Sequence, residues 1–525
     1  MGRVWPWDAT VDVVGLGRRC RVRTFAHRRV SSQAAMEFEH VGDGAGEKLL
    51  PRPGPGGFAR SNFIRTYAAG RTFADVYELQ GKLGEGGFGS VFTARHRHSG
   101  DLVAVKVLKG KVQDEEALQA EIQFLSITDH PNIVRLYEAF EEANDGGIMY
   151  LVMERCSGGD LRQHILRCHE CGLGFSEAEL IGMARQMLQA LGYCHSHNIV
   201  HRDVKPGNFL YASSSSGAPL KLVDFGVSGV VSDGSEPGER WLTRKIGTDG
   251  YMAPEVMMSR PYSASADIFS FGAALHAAVV GLPPYWNPER QAYVFPGRMR
   301  WRLLSQAAQD FFARVVDPDP TARPSAAEAL QDPWLAACNA EARSRSLLSA
   351  EYLTRLKRFN SISKLHRCML TSTVALSPCA GEEVQRLQRV FMLADVDGSG
   401  EVCVKELLAV AQQVGVADVE IQQLVSVLDT SVNGQVSYSE WLAASAFEVL
   451  ASSRTCVRRA FDALDLDGDG LIQASELHDC LPGVFKSQEL IDEMLPFDTD
   501  GDSRIDFDEF VQLLRREPAH GPSCS

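Results

Sequence analysis

Along the chain, the spacing of apolar residues changes from a strand pattern to a helix pattern. Short apolar runs at 103–108 and 150–154 predict strands, whereas later apolar residues recur at steps of three and four and predict helices over 177–195 and 264–280. This succession predicts a β-rich lobe followed by a helical lobe. Residues 1–76 are rich in Gly, Pro and Arg without periodicity, and we expect them to form a disordered tail and linker.

A second pattern begins near residue 382, where apolar helical segments alternate with acidic loops. The loops start at four aspartates that are separated by 34, 36 and 33 residues, namely Asp395, Asp429, Asp465 and Asp498. A nearly constant repeat of this length indicates repeated structural units. We therefore expect an all-α array of four helix–loop–helix units after the two lobes.

The negative charge of the chain is concentrated in this array. The formal net charge is -14, and residues 380–525 alone contain 10 Lys and Arg against 27 Asp and Glu. The array thus accounts for all of the net negative charge of the chain. Its carboxylates either form a solvated surface or bind cations. The overall composition, with 45% hydrophobic and 23% charged residues, is ordinary for a soluble globular protein.

A glycine-rich turn lies at the start of the β-rich lobe. Residues 84–91 read GEGGFGSV and fit the pattern GxGxxGxV, in which glycines let backbone N–H groups approach phosphate oxygens. Lys106 follows on a predicted strand, where its ammonium group can pair with the α- and β-phosphates of a nucleotide. Glu121 is the carboxylate expected to hold this lysine. Glu115 and Glu116 are alternatives, but they lie at the start of the predicted helix, where we expect their side chains to face solvent.

Two later motifs complete a phosphoryl-transfer set. Residues 201–208 read HRDVKPGN, in which Asp203 would accept or orient the proton of a substrate hydroxyl and Lys205 would neutralise charge on the transferring group. Asn208 and Asp224, the latter within Asp-Phe-Gly, would hold Mg²⁺. Each motif alone is weak evidence, but their order along the chain matches one reaction.

On these motifs, residues 77–335 resemble the eukaryotic protein kinase family. The resemblance implies an α+β, bilobal protein kinase fold with ATP in the cleft, a hinge near 153–156, and a pair between Arg323 and Glu255. Lys205 and Thr248 are similar to serine/threonine kinases rather than tyrosine kinases. The residues implied to contact ATP are Gly84, Glu85, Gly86, Gly87, Phe88, Gly89, Val91, Ala104, Lys106, Met153, Glu154, Cys156 and Asp160. Asp160 also predicts a preference for Arg or Lys on the N-terminal side of the target hydroxyl.

Each of the four acidic loops fits the EF-hand pattern of oxygen ligands, which Ca²⁺ prefers. The third loop fits best, the first has the unusual Cys403 at position 9, and the second has fewer charges and is expected to bind more weakly. In the fourth loop, Ser503 replaces the turn glycine, which costs about 1 kcal/mol if its φ is positive. The expected calcium ligands are Asp395, Asp397, Ser399, Glu401, Glu406, Asp429, Ser431, Asn433, Gln435, Glu440, Asp465, Asp467, Asp469, Leu471, Glu476, Asp498, Asp500, Asp502, Arg504 and Glu509. The array resembles the calmodulin-like family.

The segment that joins the two regions carries an apolar stripe with a basic face. Its apolar positions, at steps of three and four, are Leu353, Leu356, Phe359, Ile362, Leu365 and Met369. Arg355, Lys357, Arg358, Lys364 and Arg367 lie among them. This pattern predicts a basic amphipathic helix within 339–370, which either is gripped by the EF-hands, as calmodulin targets are, or packs on the kinase domain.

The order of kinase, basic junction and four EF-hands resembles the calcium-dependent protein kinases of plants and protists over about residues 62–516. The predicted divisions are a tail at 1–76, a kinase domain at 77–335, an autoinhibitory junction at 336–380, EF-hand pairs at 381–449 and 450–517, and a C-terminal tail at 518–525. The resemblance implies that the junction inhibits the kinase until the EF-hands bind calcium. Two alternatives are a calcium-sensing scaffold with an inactive kinase domain and a constitutive kinase whose EF-hands only buffer calcium.

The remaining expectations concern surroundings and partners. The 12 cysteines form no disulfide framework, which favours a reducing compartment and hence the cytoplasm, with peripheral membrane or nuclear association left open. No apolar run approaches the roughly 18 residues of a membrane helix. We expect a monomer that acts on protein substrates and has no nucleic-acid partner.

Overall fold

The computed structural model describes residues 64, 66–67, 72–86, 89–109, 115–142, 147–231, 242–336, 355, 359, 361–376, 382–411, 428–430, 433–481 and 484–515. Its strands are β1 Thr66–Tyr67, β2 Tyr77–Gly86, β3 Gly89–His96, β4 Leu102–Lys109, β5 Leu136–Glu142, β6 Ile148–Met153, β7 Ile199–Val200, β8 Phe209–Tyr211, β9 Leu220–Leu222, β10 Gly229–Val230, β11 Tyr285–Asn287, β12 Ala292–Val294, β13 Glu401–Cys403 and β14 Gln435–Ser437. Its helices begin with α1 Phe73–Val76, α2 Glu115–Ile127, α3 Leu161–Glu170, α4 Glu177–Ser196, α5 Pro254–Met257, α6 Ser265–Val280, α7 Arg298–Trp301, α8 Gln306–Val315, α9 Ala326–Leu330 and α10 Pro333–Ala336. They continue with α11 Lys364–Leu376, α12 Glu382–Ala394, α13 Val404–Ala411, α14 Tyr438–Ser452, α15 Arg454–Leu464, α16 Ala474–Cys480, α17 Ser487–Met494 and α18 Phe507–Arg515.

The N-terminal lobe is a six-stranded sheet in the order β1-β5-β6-β4-β3-β2. Strands β2 to β6 pair antiparallel, and β1 adds to the edge at β5 in parallel. Strand β4 is rich in β-branched residues, and Val103, Val105 and Val107 are buried in it. This rigid strand therefore fixes the position of Lys106.

The C-terminal lobe is helical, as the apolar periodicity predicts, and is built around α4 and α6. Helix α4 begins at a capping box in which Ser176 N–H donates to Glu179 Oε2 at 2.8 Å. Almost every residue of α6 is buried, and the helix ends at Gly281, whose φ of 88° suits a residue without a side chain. These two helices form the scaffold on which the catalytic loop rests.

The tail prediction is wrong for its last residues. Thr66 and Tyr67 pair with β5, and α1 packs Phe73, which is 3% exposed, against the sheet. The Phe73 ring stacks on Tyr150 with ring centroids 4.3 Å apart. Burial of this aromatic surface offsets the loss of chain entropy, which the composition of the segment does not reveal.

The acidic array forms a helical region with a separate hydrophobic core. Strands β13 and β14 pair antiparallel and join the first two loops, and a single bridge between Ile472 and Ile505 joins the last two. The segment 412–427, before the second loop, lies outside the described residues. Where it is described, the array therefore consists of loop pairs held together by short ladders.

The junction differs from the predicted continuous helix. Residues 361–363 form a turn, and α11 begins at Lys364, where Ser363 Oγ accepts a bond from His366 N–H at 3.2 Å. A serine in this position caps a new helix, which explains the interruption. Most positions between 337 and 360, including the basic Lys357 and Arg358, lie outside the described residues.

Helix α11 is enclosed by the acidic array. It packs against α14, α15, α17 and α18, and Leu365, Met369 and Val374 are at most 1% exposed. Its hydroxyl-bearing residues are also buried, and Ser372 Oγ donates to Cys368 O at 2.7 Å within the helix. The junction helix is thus part of the core of the array. No helix in the described part of the chain is long and apolar enough to span a membrane.

Candidate functional site

The nucleotide side of the cleft is organised by a buried ion pair. Lys106 on β4 donates to both carboxylate oxygens of Glu121 on α2, at 2.8 and 3.1 Å, so the predicted pair is present. Lys106 Nζ also lies 3.3 Å from Asp224 Oδ1. Burial alone would lower the pKa of Lys106, but the two carboxylates outweigh it and raise that pKa above its ordinary value. The ammonium group is therefore charged and ready for a phosphate.

The Asp-Phe-Gly segment connects this pair to the catalytic loop. Asp224 has a φ of 65°, and this turn directs Phe225 into the core, where it is 1% exposed. The Phe225 ring packs on Phe124 of α2, at 4.8 Å between centroids, and on His201, at 4.9 Å. Phe225 thus holds α2, and with it Glu121, against the site.

The catalytic loop gathers three donors around Asp203. Lys205 Nζ lies 2.6 Å from Asp203 Oδ2, Asn208 Nδ2 lies 3.1 Å from the same oxygen, and Thr248 Oγ1 donates to Oδ1 at 2.6 Å. Lys205 Nζ also donates to Thr248 Oγ1 at 2.7 Å. The structure therefore brings together the residues predicted for phosphoryl transfer and adds Thr248, which the sequence identified only as a mark of substrate class.

Two buried carboxylates stabilise the surroundings of this loop, and one of them, Asp267, bonds to it directly. Asp267, at the start of α6, accepts from the backbone N–H groups of His201 and Arg202 at 2.7 and 2.9 Å. Burial acts to raise the pKa of Asp267, but His195 and the His201 N–H group outweigh it and lower that pKa. Arg323 pairs with both oxygens of Glu255 at 2.6 and 2.8 Å, as predicted. Asp267 thus holds the backbone of the catalytic loop at His201 and Arg202.

The residues implied for adenine and ribose lie at the end of β6 and just beyond it. Glu154 N–H donates to Arg135 O at 2.8 Å, and the Glu154 carboxylate pairs with Lys221 at 2.9 Å. Cys156 is shielded, and burial raises the pKa of its thiol to about 12. Asp160 caps α3 by accepting from Gln163 N–H at 2.7 Å.

The glycine-rich turn is the hairpin between β2 and β3, with Gly84 opposite Val91 and Gly86 opposite Gly89. Glu85 pairs with Lys82 at 3.0 Å, and Ala104 lies across from Met153. Gly87 and Phe88, at the tip, lie outside the described residues. A charged lysine, two carboxylates and a glycine hairpin at one cleft fit a magnesium nucleotide.

Three acidic loops bring their carboxylates together. In each group, carboxylate oxygens lie within 4.8 Å of one another, and the groups are Asp395, Asp397 and Glu406; Asp465, Asp467 and Glu476; and Asp498, Asp500 and Glu509. These are positions 1, 3 and 12 of the predicted loops, so the donor set fits Ca²⁺. Burial, followed by the neighbouring carboxylates, raises the pKa of Asp395 to about 8, and burial also raises that of Asp465.

The backbone of each loop has the predicted turn. Gly400, Gly434 and Gly470 have φ values of 82°, 82° and 89°, and their N–H groups donate to the first aspartate of each loop. Ser503 takes the same conformation at a φ of 64°, so the predicted strain is present. The first position therefore organises the loop before an ion binds.

The second loop is only partly described. Asp429, Asn433, Gln435 and Glu440 are placed, whereas Ser431 lies outside the described residues. Glu440 is fully buried and accepts from Ser437 N–H at 2.8 Å, and Asp429 Oδ1 accepts from Asn433 N–H at 3.1 Å. This loop offers fewer carboxylates than the others, as the sequence indicates.

The remaining predicted ligands lie at positions 5 and 7 of the loops. Ser399 Oγ donates to Glu401 O at 3.0 Å, and Leu471 N–H donates to Asp469 Oδ1 at 2.9 Å. Arg504 N–H donates to Asp502 Oδ1 at 2.7 Å. Position 7 was predicted to act through its carbonyl oxygen, which does not depend on the side chain.

Two side chains at position 7 reach across to the neighbouring loop, which sequence reasoning missed. Glu401 Oε1 accepts from Asn433 Nδ2 at 3.1 Å, and Arg504 Nη1 lies 3.4 Å from Asp469 Oδ2. Both contacts join position 7 of one loop to the predicted ligand at position 5 of its partner. Because paired loops are joined by short β-ladders, their facing side chains at positions 7 and 5 are expected to meet.

The acidic array contacts the N-terminal lobe of the kinase region and the turn after α2. Asp129, in the turn after α2, accepts from the N–H and Oγ of Ser439 at 2.7 and 2.8 Å. Arg459 of α15 lies over the Tyr137 ring, 4.2 Å from its centroid, and donates to Tyr77 OH at 3.2 Å. No local sequence pattern indicates these contacts, because they join residues that are far apart in the chain.

Comparisons with known proteins agree with this geometry. The protein kinase domain model matches residues 77–335, and the EF-hand domain pair model matches 384–445 and 455–515. The chain is 33% identical over 460 residues to calcium-dependent protein kinase 3 of Oryza sativa subsp. japonica, covering 84% of this chain and 80% of that protein. It is 32% identical over 461 residues to calcium-dependent protein kinase 10 of Arabidopsis thaliana, covering 84% and 81%.

These matches extend over both regions and the junction between them. The kinase domain implies ATP and Mg²⁺, and the EF-hand domains imply Ca²⁺. The fold is the expected α+β kinase followed by an EF-hand region. With the identity and coverage of its relatives, this chain belongs to the calcium-dependent protein kinases, a family of serine/threonine kinases.

Proposed function

We propose that the chain transfers the γ-phosphoryl group of ATP to Ser and Thr hydroxyls of proteins, and that calcium controls the reaction through α11. The observation that carries the proposal is the combination of an assembled catalytic loop around Asp203 with a junction helix enclosed by calcium loops. A scaffold without activity would not require the charged Lys106–Glu121 pair in a buried cleft.

Asp203 is the group proposed to take or orient the proton of the substrate hydroxyl. Thr248 and Lys205 hold its two carboxylate oxygens, so its orientation is fixed before the substrate arrives. Lys205 offsets the charge that develops on the transferring group, and Lys106 binds the phosphates on the other side of the cleft. Mg²⁺, held by Asn208 and Asp224, would neutralise phosphate charge. The chain therefore contributes positioning and electrostatic stabilisation.

We propose a preference for substrates with Arg or Lys on the N-terminal side of the hydroxyl. Asp160 supports this proposal: one carboxylate oxygen caps α3, and the side chain remains partly accessible to a peptide. A peptide array that varies these positions tests it. Equal phosphorylation of basic and neutral peptides would contradict the preference.

Calcium control is proposed to act on the junction. Without calcium, the acidic loops carry uncompensated charge and hold α11 less firmly, which leaves the junction available to inhibit the kinase domain. With calcium, the EF-hand region encloses α11, and the interaction of α11 with α14 and α15 supports this arrangement. A chain truncated after Ala336 should phosphorylate peptides equally with calcium and with a chelator.

The decisive experiment is a calcium titration of peptide phosphorylation by the full chain, with Asp203→Ala as the inactive control. Activity that rises with calcium and disappears in the variant supports the proposal. Equal activity with calcium and with a chelator would instead favour a constitutive kinase with buffering EF-hands. No phosphorylation at any calcium concentration would favour the inactive scaffold.

We also propose that the protein acts as a monomer in the cytoplasm and binds no nucleic acid. The cysteines within the described residues are all free, which supports a reducing compartment. Light scattering of the purified chain tests the oligomeric state, and imaging of a tagged chain tests the location. A stable dimer or a secreted product would contradict them.

A further inference from the structure

The first calcium loop, residues 395–406, lies directly against the C-terminal lobe of the kinase. Gln331 Nε2, just after α9, donates to Val396 O within the loop at 2.8 Å. Gln189 Nε2 of α4 donates to Met392 O in the helix before the loop at 2.9 Å. Both bonds end on backbone oxygens, so they fix the course of the chain rather than one side chain.

The two glycines of this loop are in close contact with the kinase. A Cβ added at Gly398 would lie 2.6 Å from Leu330 Cδ1, and one added at Gly400 would lie 2.2 Å from Tyr193 Cδ2. The φ values of 72° and 82° also require glycine or a strained residue at these positions. The backbone of the loop is thus in van der Waals contact with α4 and α9.

The kinase contributes a matching glycine on α4. A Cβ at Gly192 would lie 2.8 Å from the carbonyl oxygen of Gly398, which is too close for an unshifted contact. Glycines of the other loops have open space instead, with no atom within 4 Å of an added Cβ at Gly434, Gly468, Gly470 and Gly501. Among these glycines, close packing on the kinase is therefore confined to the first loop.

We infer that the C-terminal lobe of the kinase forms part of the first calcium site and raises its calcium affinity, with Gly192 as the residue that permits the contact. The inference rests on the proposed calcium control and deepens it. A loop held at its backbone loses less conformational freedom when it binds the ion. Binding and docking are therefore coupled, and each strengthens the other by the same factor.

The charges of the first loop also make calcium binding and docking strengthen each other. Oxygens of Asp395, Asp397 and Glu406 lie within 4.8 Å of one another, and Asp395 is 2% exposed. These carboxylates repel one another in the empty loop, and a divalent cation removes that repulsion. In the docked conformation, a filled loop is therefore more favourable than an empty one.

The first loop remains accessible to ions when the EF-hand region is docked on the kinase. Asp397 and Ser399, at positions 3 and 5, line a crevice of about 480 Å³ that α4 residues and the segment 323–328 close on the kinase side. His195 and Ser196 of α4 are part of its wall. An ion can thus reach these ligands while the EF-hand region remains docked, so affinity can be measured in the full chain.

The experiment isolates the first loop in the full chain. Replacements Glu440→Gln, Glu476→Gln and Glu509→Gln remove the position-12 carboxylate of the other loops, so the remaining binding reports the first loop. Calcium affinity is measured by titration calorimetry without ATP or substrate. In this background, Gly192→Ala is compared with Gly182→Ala, which lies on the same helix with open space for its Cβ. Both changes have the same effect on helix propensity.

We expect Gly192→Ala to weaken calcium binding about fivefold or more, and Gly182→Ala to leave it within about twofold. Gln331→Ala, which removes a bond without adding volume, should weaken it in the same direction. Thermal unfolding confirms that each variant is folded. Equal affinities of the two alanine variants, or a first loop that binds no calcium, would overturn the inference. Peptide phosphorylation by the original chain, measured separately, tests the proposed function independently.

Discussion

Replacing Asp129 by Asn is expected to loosen the attachment of the EF-hand region to the kinase. The carboxylate accepts two bonds from Ser439, at 2.7 and 2.8 Å, and lies 3.4 Å from Arg135 Nη2. Arg135 in turn donates to Val374 O of α11 at 2.8 Å. Asparagine keeps the shape of the side chain but removes its charge and one acceptor. The link between the kinase, α14 and α11 is therefore weakened.

The size of the expected destabilisation follows from the burial of the three side chains. Asp129 is 8% exposed, Arg135 4% and Ser439 0%. The bonds to Ser439 are the part of this link that joins Asp129 to the EF-hand region, and leaving a buried donor without its partner costs about 1–3 kcal/mol. The asparagine oxygen still accepts one bond, and Arg135 retains Val374 O and the Tyr438 ring, 5.0 Å from its guanidinium carbon. We therefore expect a loss of about 1–3 kcal/mol in the free energy of docking.

Differential scanning calorimetry with saturating calcium measures this loss. We expect the unfolding transition of the EF-hand region to move to lower temperature and to separate from that of the kinase. The matched control is Asp492→Asn, because that exposed carboxylate has a bond of 2.9 Å to Gln488 and should change stability by less than about 0.5 kcal/mol. If the two variants unfold alike, the buried link contributes no net docking energy and the reasoning is refuted.

Three further changes test other parts of the molecule. Arg504→Gln removes a cation 3.4 Å from Asp469 and should raise the calcium affinity of the third loop about two- to fivefold in a terbium luminescence titration; a lower affinity would contradict this. Ser503→Gly relieves a φ of 64° and should stabilise the EF-hand region by about 1 kcal/mol, seen as a higher melting temperature rather than a lower one. Lys106→Met leaves Glu121 without its ammonium partner and should reduce peptide phosphorylation about 100-fold or more, with calcium binding unchanged; activity above about a tenth would contradict the assigned role.

The catalytic residues can be predicted from sequence because each motif carries its chemistry within a few consecutive positions. The segment 201–208 alone supplies a carboxylate, a lysine and an amide in fixed order. The pair between Lys106 and Glu121 requires only one further step, the assignment of a helix that faces the strand. The calcium loops are predictable for the same reason, and even the strain at Ser503 follows from its position in the loop.

Contacts between the two regions could not be predicted in this way. Asp129 and Ser439 are separated by 310 positions, and neither occupies a predicted catalytic or ligand position. Gly192 looks like an ordinary helix glycine until the chain of the first loop lies against it. Similarly, the composition near Phe73 indicates a linker, although β1 pairs with β5 and the Phe73 ring packs on the sheet. The structure at these positions depends on tertiary packing, which a local sequence pattern does not indicate.

The elements contacted by the EF-hand region are the same ones that position the chemistry. Helix α2 carries Glu121 and ends two residues before Asp129, which binds the second calcium loop. Helix α4 contacts the first loop through Gly192 and ends shortly before the catalytic loop that carries Asp203. Both contacts are made on packed elements next to catalytic residues, so the EF-hand region lies against parts of the fold that position both sides of the cleft.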